Sequence, residues 1–410
     1  MFPAFSVALS ALNADATGID IVGNNLANLN TAGFKASDVD FQDLMYQTLG
    51  GGTSGEVGMG VGQVSAVQSF TQGAITTTSG PTDAAIEGNG FFVVKDSSNA
   101  TLYTRAGDFQ LDASGNLVTA SGDMVQGWTA VNGVVNPNGP VGNLNFPVGT
   151  TTPPTATTTM SMDVNLDASA ATGTTFSAPI QVYDSQGTAH TLTMTFTKTA
   201  ANSWSYVANV PASDQTAPPA GGLLTGTLTF DANGNLTAPL TAQTVPITGL
   251  SDGAADMSVN WNLVDSSGNN TITQYAQASG VSSPVQNGNA PGEVTSIGLE
   301  NGGLMVATYS NGQQVTVGQL AMASITNPNS LIQVGNNNLQ ASATTAQAAV
   351  GAAGTGGLGQ IEGGALESST ADMATQFTDL LSYERSYQAA SRVITTSDQL
   401  LQETVDLIHP

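Results

Sequence analysis

Hydrophobic residues recur at helical spacing at both ends of the chain. Near the N-terminus the steps are mostly three or four residues, through Phe5, Leu9, Leu12, Ala16, Ile19, Val22 and Leu26. Near the C-terminus a comparable rhythm runs through Met373, Phe377, Leu380, Tyr387, Ile394, Leu401, Val405 and Ile408. Such spacing places the apolar side chains along one stripe of a helix. The pattern predicts one helix from about Phe5 to Asn30 and another from Leu366 to Ile408.

The residues between the two stripes predict short strands joined by turns. Four turns begin with Asp and place Gly three residues later, namely Asp112–Gly115, Asp184–Gly187, Asp231–Gly234 and Asp265–Gly268. Asp can start a type I turn, and Gly accepts the left-handed position that closes a hairpin. Alternating or β-branched runs flank these turns, as at Thr191–Thr197 and Leu223–Phe230. Asn311-Gly312 gives the strongest single hairpin signal.

Together these patterns predict a mainly β protein with long α-helices at both termini. We expect β-rich domains nested between paired, coiled-coil-like terminal helices. Breaks rich in Pro and Thr bracket a candidate inserted domain, and an Ala- and Gly-rich stretch near residue 350 is typical of a linker. The expected parts are a terminal helical domain (1–30 with 366–410), a linker region (31–75 with 335–365), an inner β domain (76–150 with 284–334) and an inserted outer β domain (151–283).

The net charge and the composition exclude some classes of function. The net charge is −24 with six Lys and Arg, so the surface repels phosphate, and we expect no nucleic-acid partner. The sequence shows no continuous apolar run of about 18 residues, so we expect no membrane insertion. The first cation is Lys35, whereas a secretory signal needs a basic start. If the protein is exported, we expect export without a cleaved signal peptide.

Two motifs resemble ligand-binding motifs, but the residues around them favour a linker and ordinary turns. Gly354–Gly359 matches the dinucleotide fingerprint, which requires a preceding strand and a following helix to aim amides at a pyrophosphate. An Ala-rich stretch precedes it and Gly363-Gly364 follows, which favours a flexible linker. The Asp-rich turns lack the sixth-position Gly that a calcium loop needs, so they favour ordinary hairpins. We expect no cofactor and no metal site.

The two histidines do not indicate catalysis. Neither His190 nor His409 has a nucleophile or a carboxylate constellation visible in the sequence, so a catalytic triad or a histidine-based metal site is not expected. No site with two cooperating groups can be assembled from the motifs. The sequence therefore predicts that the protein is not an enzyme and has no catalytic residues.

The cations of the C-terminal helix allow two interpretations. Arg385 and Arg392 lie seven residues apart and so share a face. They could pair with Asp15 or Asp20 of the first helix. Equally, they could be solvated or pair locally with acidic residues of their own helix, and an exposed pair contributes only about 0–1 kcal/mol.

Several motifs resemble the bacterial flagellar rod and hook proteins. The matching segments, in order, are Gly23–Lys35, Gly88–Val94, Tyr103–Phe109, Gly364–Glu367, Tyr383–Ala389 and Ile394–Asp398. The first segment supplies the family-motif residues Asn24, Asn25, Asn28, Thr31, Gly33, Phe34 and Lys35. Within the family, Thr273–Tyr275 and Tyr309–Gly312 resemble the hook members in particular. A departure is Asn287, where the family often has Asp.

The resemblance implies a structural subunit of the flagellar hook, a curved, hollow, flexible tube that self-assembles and transmits torque from rod to filament in motility. The terminal helices would line this tube and the inserted domain would face outward. The residues expected to pack between subunits are Phe5, Leu9, Leu12, Ile19, Leu26, Phe377, Leu380, Tyr387, Ile394, Leu401 and Val405. Even if the two ends pair, a two-helix pair leaves much apolar surface in water, so we expect the helices to gain order from neighbouring copies.

The resemblance also implies partners and a location. The partners would be further copies of the chain in a helical polymer, the rod and hook–filament junction proteins, the type III flagellar export apparatus and the hook cap. The location would be extracellular, in the hook of the flagellum basal body. Two alternatives stay open: a distal-rod or hook-associated protein of the same family, and, from a different class, an acidic β-rich surface-layer or adhesin protein.

Overall fold

A computed structural model describes residues 3–44, 46–48, 56–62, 64–146, 149 and 151–408. The described chain forms two compact units. The second unit comprises residues 149–295 and 309–313, and the first unit comprises the other described residues. The inserted domain was expected at 151–283. The second unit also contains residues 284–295 and the hairpin tip at residues 309–313.

Two long helices stand at the ends of the described chain, α1 (Pro3–Ala27) and α2 (Met373–Ile408). Short 3₁₀ turns occur at Ala212–Asp214, Asn301–Gly303 and Pro328–Ser330. The strands, in chain order, are β1 Ser37–Asp40, β2 Tyr46–Thr48, β3 Glu56–Gly58, β4 Ser65–Gln68, β5 Ile75–Thr77, β6 Ala84–Glu87, β7 Phe91–Lys95, β8 Thr101–Thr104, β9 Gln110–Leu111, β10 Leu117–Val118, β11 Met124–Thr129, β12 Gly142–Asn143, β13 Thr151–Thr152, β14 Thr159–Asn165, β15 Thr175–Tyr183, β16 Ala189–Ala200, β17 Ser203–Asn209, β18 Leu224–Phe230, β19 Leu236–Ala238, β20 Gln243–Ile247, β21 Met257–Asn262, β22 Ile272–Thr273, β23 Gly280–Gln286, β24 Gly292–Leu299, β25 Leu304–Tyr309, β26 Gln314–Leu320, β27 Met322–Ser324, β28 Leu331–Gly335, β29 Asn338–Ala341, β30 Ala349–Gly351, β31 Gln360–Gly363 and β32 Ala365–Glu367.

The first unit is built on an antiparallel sheet in the order β25-β26-β11-β7-β8-β29-β28. Its central strand β7 is buried along most of its length, because Phe91–Val94 are all apolar. Phe92 meets Phe109 edge to face at 5.0 Å between ring centroids. Two further pairs, β31 with β6 and β32 with β5, join the segment before α2 to the segment before β7.

The second unit consists of two sheets around one core. One is the antiparallel sheet β15-β16-β17-β18-β19, and the other is β20-β21-β14-β22 with β23 beside β14. Alternating burial along β14–β18 places every second side chain inside, as period-two patterning requires. Trp204 and Trp261 are fully buried, and Tyr206 meets Trp261 edge to face at 5.2 Å.

The helices α1 and α2 pair within a single chain. Gly18 faces the ring of Tyr383, and the Asn25 amide donates to Gln376 Oε1 at 3.0 Å. Small or polar side chains, including Ala14, fill much of the interface, because little room separates the helices. The helices were expected to pair and to gain order from neighbouring copies; in the structure both are formed and paired within one subunit.

The two contacts also fix the antiparallel register of the pair. Residue numbers 18 and 383, like 25 and 376, add up to 401. By this register Pro3 lies opposite Asp398. The last ten residues of α2, from Gln399 onward, therefore have no described residue of α1 opposite them.

The structure confirms the mainly β fold with helices at both ends, but α2 begins later than predicted. Its first turn is capped by Asp372, whose Oδ1 accepts the Thr375 N–H at 2.9 Å. The preceding residues Ala365–Glu367 instead form β32. A carboxylate at the N-cap satisfies a backbone donor that the helix leaves free, so the apolar residues before it are released for the sheet.

Residues 335–365, predicted as linker, also contribute strands β29, β30 and β31. The Gly354–Gly359 run is the tight turn between the last two, closed by Gly354 N–H to Gly359 O at 2.8 Å. Short alternations such as Gln360–Gly363 are too brief to register as strand patterns, and neighbouring strands supply their hydrogen bonds. The glycine-rich region predicted at 50–62 lies partly outside the described residues.

The predicted Asp-initiated hairpins are confirmed. In Asp112, Asp231 and Asp265, Oδ1 accepts the backbone N–H groups two and four residues later, all at 2.8 Å. The Asn116 side-chain amide, followed by these N–H groups, holds the pKa of Asp112 below its usual value. For Asp231 and Asp265 the backbone N–H groups of Asn235 and Asn269 contribute most to the same lowering of the pKa. Asn311-Gly312 likewise turns β25 into β26, with Gly312 at φ 82°.

By length and composition alone, the segment Phe5–Ala27 of α1 is long and apolar enough to cross a membrane, which the sequence analysis did not anticipate. The helix carries Asp15 and Asp20 and lies with one face against α2. The packed helix of a water-soluble protein meets the same criterion.

The close approach at Gly18 generates a test of the helix pair. A Cβ at Gly18 would lie 3.2 Å from the Tyr383 ring, whereas a Cβ at Gly23 meets nothing within 4 Å. Gly18→Leu should therefore lower the free energy of unfolding by about 1–3 kcal/mol through overpacking. Gly23→Leu should leave it unchanged or raise it by up to ~1 kcal/mol. Urea unfolding of the monomer measures both; equal effects would show that the helices do not pack at Gly18.

Candidate functional site

Within the first unit, a junction forms where the segment after α1, strand β32 and the loop at Arg105 meet. Three charged side chains lie at its centre, Lys35, Arg105 and Glu367, and at most 7% of each is exposed. Lys35 Nζ lies 2.6 Å from Glu367 Oε1, and Arg105 Nη1 lies 3.3 Å from Oε2. One carboxylate thus joins residues from three separate parts of the sequence.

The other polar atoms at the junction are largely partnered by backbone. Glu367 Oε1 also accepts the Gly73 N–H at 2.8 Å and the Gln72 amide at 3.0 Å. Lys35 Nζ donates to Thr71 O at 2.6 Å. Arg105 Nη2 donates to Gly88 O at 2.7 Å. Hydrogen bonds of this kind offset the cost of removing charges from water, without which a buried ion pair is unfavourable.

Burial weakens the hold of both cations on their protons. Desolvation lowers the pKa of Lys35, while the hydrogen bond and charge of Glu367 oppose that shift. Desolvation also lowers the pKa of Arg105, again against Glu367. Both cations would be strongly destabilised if the carboxylate were lost, so Glu367 is the group on which the junction depends.

The family-motif segment supplies the rest of the junction. The Asn25 side-chain amide donates to Ser37 O at 2.8 Å, and Asn25 Oδ1 accepts the Ser37 N–H at 3.0 Å. The same amide donates to Gln376 on α2. The Gly33 N–H donates to Glu367 O at 2.7 Å. Gly33 has φ 68°, and a Cβ there would lie 2.4 Å from the Arg105 backbone, so only glycine fits.

The remaining motif residues lie around this centre. Phe34 is buried beside Lys35. Thr31 Oγ1 donates to Asn28 Oδ1 at 3.1 Å, and the Asn28 amide donates to Asn24 O at 2.9 Å. These three residues line an open cavity on the first unit. The motif is recognisable in the sequence, whereas its contacts with Arg105 and Glu367 are not. The available signal was the scarcity of cations: two of the six Lys and Arg residues lie in family motifs, and Glu367 lies in a third.

Five of the eleven predicted subunit-packing residues are exposed in the single chain. Those with the most exposure are Leu9 43%, Phe377 46%, Tyr387 37%, Leu401 37% and Val405 58%. Phe5, Leu12, Ile19, Leu26, Leu380 and Ile394 are half-buried. Leu381, Val393 and Leu400, which the prediction omitted, are also exposed. Residues beyond the end of α1 in the register, such as Leu400, are uncovered because α2 is longer than α1.

The predicted pairing of the two arginines of α2 does not occur within the described chain. Ion pairs among the described residues involve Lys35, Arg105 and His190, and neither Arg385 nor Arg392 takes part. Both arginines are exposed. Of the two interpretations left open, the ion pair with Asp15 or Asp20 is wrong for the single chain, because no such pair forms among the described residues.

The second unit contains a charged cluster that the sequence analysis missed. His190 is 4% exposed; its Nδ1 lies 3.0 Å from Asp214 Oδ2, and its Nε2 lies 3.2 Å from Asp184 Oδ2 and 3.6 Å from Asp252 Oδ2. Ligand atoms of Asp184, His190 and Asp252 all lie within 4.8 Å of one another, as a metal site requires. The carboxylates come from three separate turns, so spacing along the sequence does not reveal them. His409 lies outside the described residues.

Desolvation acts to lower the pKa of His190, but hydrogen bonds and charge from Asp214 and Asp184 outweigh it and raise the pKa above its ordinary value. A raised folded-state pKa contributes stability that is fully present below the unfolded pKa of about 6.5. That stability is lost as the pH rises through the folded pKa.

Removing the junction carboxylate tests its role. Glu367→Gln leaves two buried cations without a counter-charge and should lower the free energy of unfolding by about 3–5 kcal/mol. Glu362→Gln is the matched control, because Glu362 lies on neighbouring β31 and forms no ion pair with described residues; its cost should stay under about 1 kcal/mol. Urea unfolding measures both, and equal costs would contradict the central role of Glu367.

The raised pKa of His190 predicts how the stability of the second unit depends on pH in protein that a chelator has freed of metal ions. Between about pH 6.5 and the folded pKa, the second unit should become less stable as the pH rises. Urea unfolding followed by tryptophan fluorescence reports this, since Trp204 and Trp261 are buried in that unit. His190→Gln should remove this pH dependence; a variant with the same slope as the parent chain would show that another group titrates.

Four stretches of the chain match families of flagellar domains. They are the flagella basal body rod protein family at 5–35, the flagellar hook protein FlgE/F/G D1 domain at 85–169, the flagellar basal body protein FlaE D2 domain at 154–289 and the flagellar basal body rod FlgEFG protein C-terminal at 362–407. The first and last contain Lys35 and Glu367 respectively, so the junction joins the two terminal families.

Similarity to curated proteins extends along nearly the whole chain. The flagellar hook protein FlgE of Escherichia coli K12 is 34% identical over 98% of this chain and 100% of its own length. FlgE of Salmonella typhimurium LT2 is 33% identical over 98% and 99%, and FlgE of Borreliella burgdorferi is 33% identical over 97% and 98%.

A solved structure is similar in fold. The crystal structure of Helicobacter pylori flagellar hook protein FlgE2 superimposes with a TM-score of 0.50 at 14% identity, covering 65% of this chain and 93% of that one. At this identity the likeness concerns the fold alone. Full-length identity above 30% to several hook proteins, together with the ordered domain matches, shows that the chain belongs to the flagellar hook protein FlgE family.

Proposed function

We propose that this chain is a structural subunit of the bacterial flagellar hook and that copies of it assemble into a curved, hollow tube that transmits torque in motility. The observation that carries the proposal is the uncovered apolar surface of the helix pair. Leu9, Phe377 and Val405 are each more than 40% exposed. Exposed apolar side chains concentrated on one element mark a surface that another protein covers.

The register of the helix pair explains why a further copy is the partner. The last ten residues of α2 extend beyond the described part of α1, and Leu400, Leu401 and Val405 lie there without a partner helix. A helix of this kind is stabilised by packing rather than by propensity. Every copy presents the same surplus, so stacking copies can cover it repeatedly in a helical polymer. In this arrangement the terminal helices line the tube and the second unit faces outward.

The exposed arginines fit the same arrangement. Arg385 and Arg392 form no ion pair in the described chain, although the net charge is −24. Acidic residues of a neighbouring copy are therefore available partners. An acidic surface-layer protein, the alternative from another class, would not require two long terminal helices with uncovered apolar residues.

The family assignment also extends to partners and location. We infer that the rod and the hook–filament junction proteins contact the two ends of the tube, and that the hook cap and the flagellar export apparatus act during assembly. The protein's role is mechanical, and we propose no catalytic site.

Charge substitutions separate folding from assembly. Leu9→Asp and Leu401→Asp change side chains that are 43% and 37% exposed in the single chain, so the monomer should keep its fold. In the polymer the same charges would be buried without partners, at a cost of several kcal/mol per subunit. We expect both variants to give circular dichroism spectra of the parent chain and to form no tubes in electron micrographs.

Thr237→Asp is the matched control, because Thr237 is exposed on β19 of the second unit and the change adds the same charge. It should assemble as the parent chain does. Tubes formed by Leu9→Asp and Leu401→Asp at the parent rate would show that these residues do not lie between subunits.

A further inference from the structure

We propose that Asp184, His190 and Asp252 of the second unit bind a divalent transition-metal ion such as Zn²⁺. The inference is independent of tube assembly, because all three residues lie within one compact unit. Two of them, Asp184 and His190, are buried, and Asp252 is partly exposed, at 27% of its side chain. The ion would therefore sit at the edge of the unit, with one position open to water.

The distances fit a tetrahedral ion. Zinc binds imidazole nitrogen and carboxylate oxygen at about 2.0–2.2 Å, so two ligand atoms of a tetrahedral site lie about 3.4 Å apart. His190 Nε2 lies 3.2 Å from Asp184 Oδ2 and 3.6 Å from Asp252 Oδ2. A single Nε2–H can be directed at only one of these oxygens, whereas an ion between the three atoms would contact all of them.

The surrounding groups already orient the ligands. Nδ1 of His190 lies 3.0 Å from Asp214 Oδ2; a carboxylate in this position fixes the tautomer that leaves Nε2 free for a metal. Asp184 Oδ1 accepts the N–H groups of Gln186 and Thr188 at 2.7 and 2.9 Å, which turns Oδ2 toward His190. The other Asp-initiated turns have the same backbone bonds but no histidine opposite Oδ2.

Charge also favours a cation. Three carboxylates, those of Asp184, Asp214 and Asp252, face one imidazole, and no Lys or Arg among the described residues forms an ion pair with them. A protonated His190 supplies one positive charge. A divalent ion on neutral His190 supplies two and brings Asp252 into contact. Imidazole with carboxylate oxygens suits zinc and its neighbours rather than magnesium or calcium.

The composition of the chain makes the test clean. It has no cysteine and two histidines, so a purified full-length chain without a histidine tag offers few competing thiolate or imidazole ligands. The monomer is stripped with a chelator, dialysed at pH 7.5 and titrated with zinc chloride by isothermal calorimetry. We expect one ion per chain and a rise in the melting temperature of the second unit.

Variants assign the binding to the three residues. Asp252→Asn should weaken zinc affinity at least about tenfold, and Asp214→Asn, which changes an outer contact, should weaken it about 10–100-fold. Asp163→Asn is the matched control, because Asp163 is an exposed acid of the same unit, and it should bind as the parent chain does. Nitrogen-15 NMR of the imidazoles should show zinc shifting Nε2 of one histidine, with the signal lost in His190→Gln.

Three results would overturn the proposal. They are no heat and no melting shift with zinc, an affinity unchanged in Asp252→Asn, or imidazole shifts confined to His409. Any of them would mean that the cluster is a proton-bridged set of ion pairs only.

Discussion

The buried carboxylate of Glu367 is the interaction on which the first unit depends. It stands just before α2 and accepts hydrogen bonds from Lys35 of the segment after α1 and from Arg105 of the loop after β8. Because a cation left alone in this interior would be strongly destabilising, the three segments hold together or separate together. The beginning and the end of a 410-residue chain are thereby fixed at one point, and both helices leave that point side by side.

Fixing the helix pair at its base has a consequence for its far end. From Asn25 and Gln376 the helices run antiparallel as far as Pro3, the first described residue of α1, and α2 continues beyond that point. Apolar side chains such as Leu401 and Val405, which a single chain leaves exposed, therefore lie far from the junction, on a helix whose direction the junction sets. Because this apolar surface has a fixed position in each subunit, identical copies can pack against one another in the same way each time, as a regular polymer requires.

The sequence predicted what depends on local pattern. Helical spacing located both helices, and Asp–Gly spacing located hairpins such as Asp231–Gly234. It failed where residues distant in sequence decide the structure. Leu366 and Glu367 lie in a stretch without Pro or Gly that predicts a helix, yet they form a strand with Ala365 because β5 and two buried cations lie beside them. The carboxylates around His190 come from separate turns, so no spacing rule could have found them.

The central claim is that the junction stays intact while the uncovered apolar residues become buried between copies. A helical reconstruction of assembled tubes by electron cryomicroscopy tests it most directly. The account predicts Lys35 and Arg105 still bound to Glu367 in every subunit, with Leu9, Phe377 and Leu401 packed against neighbouring copies. Tubes in which these apolar side chains face solvent, or in which Glu367 has left its two cations, would contradict it.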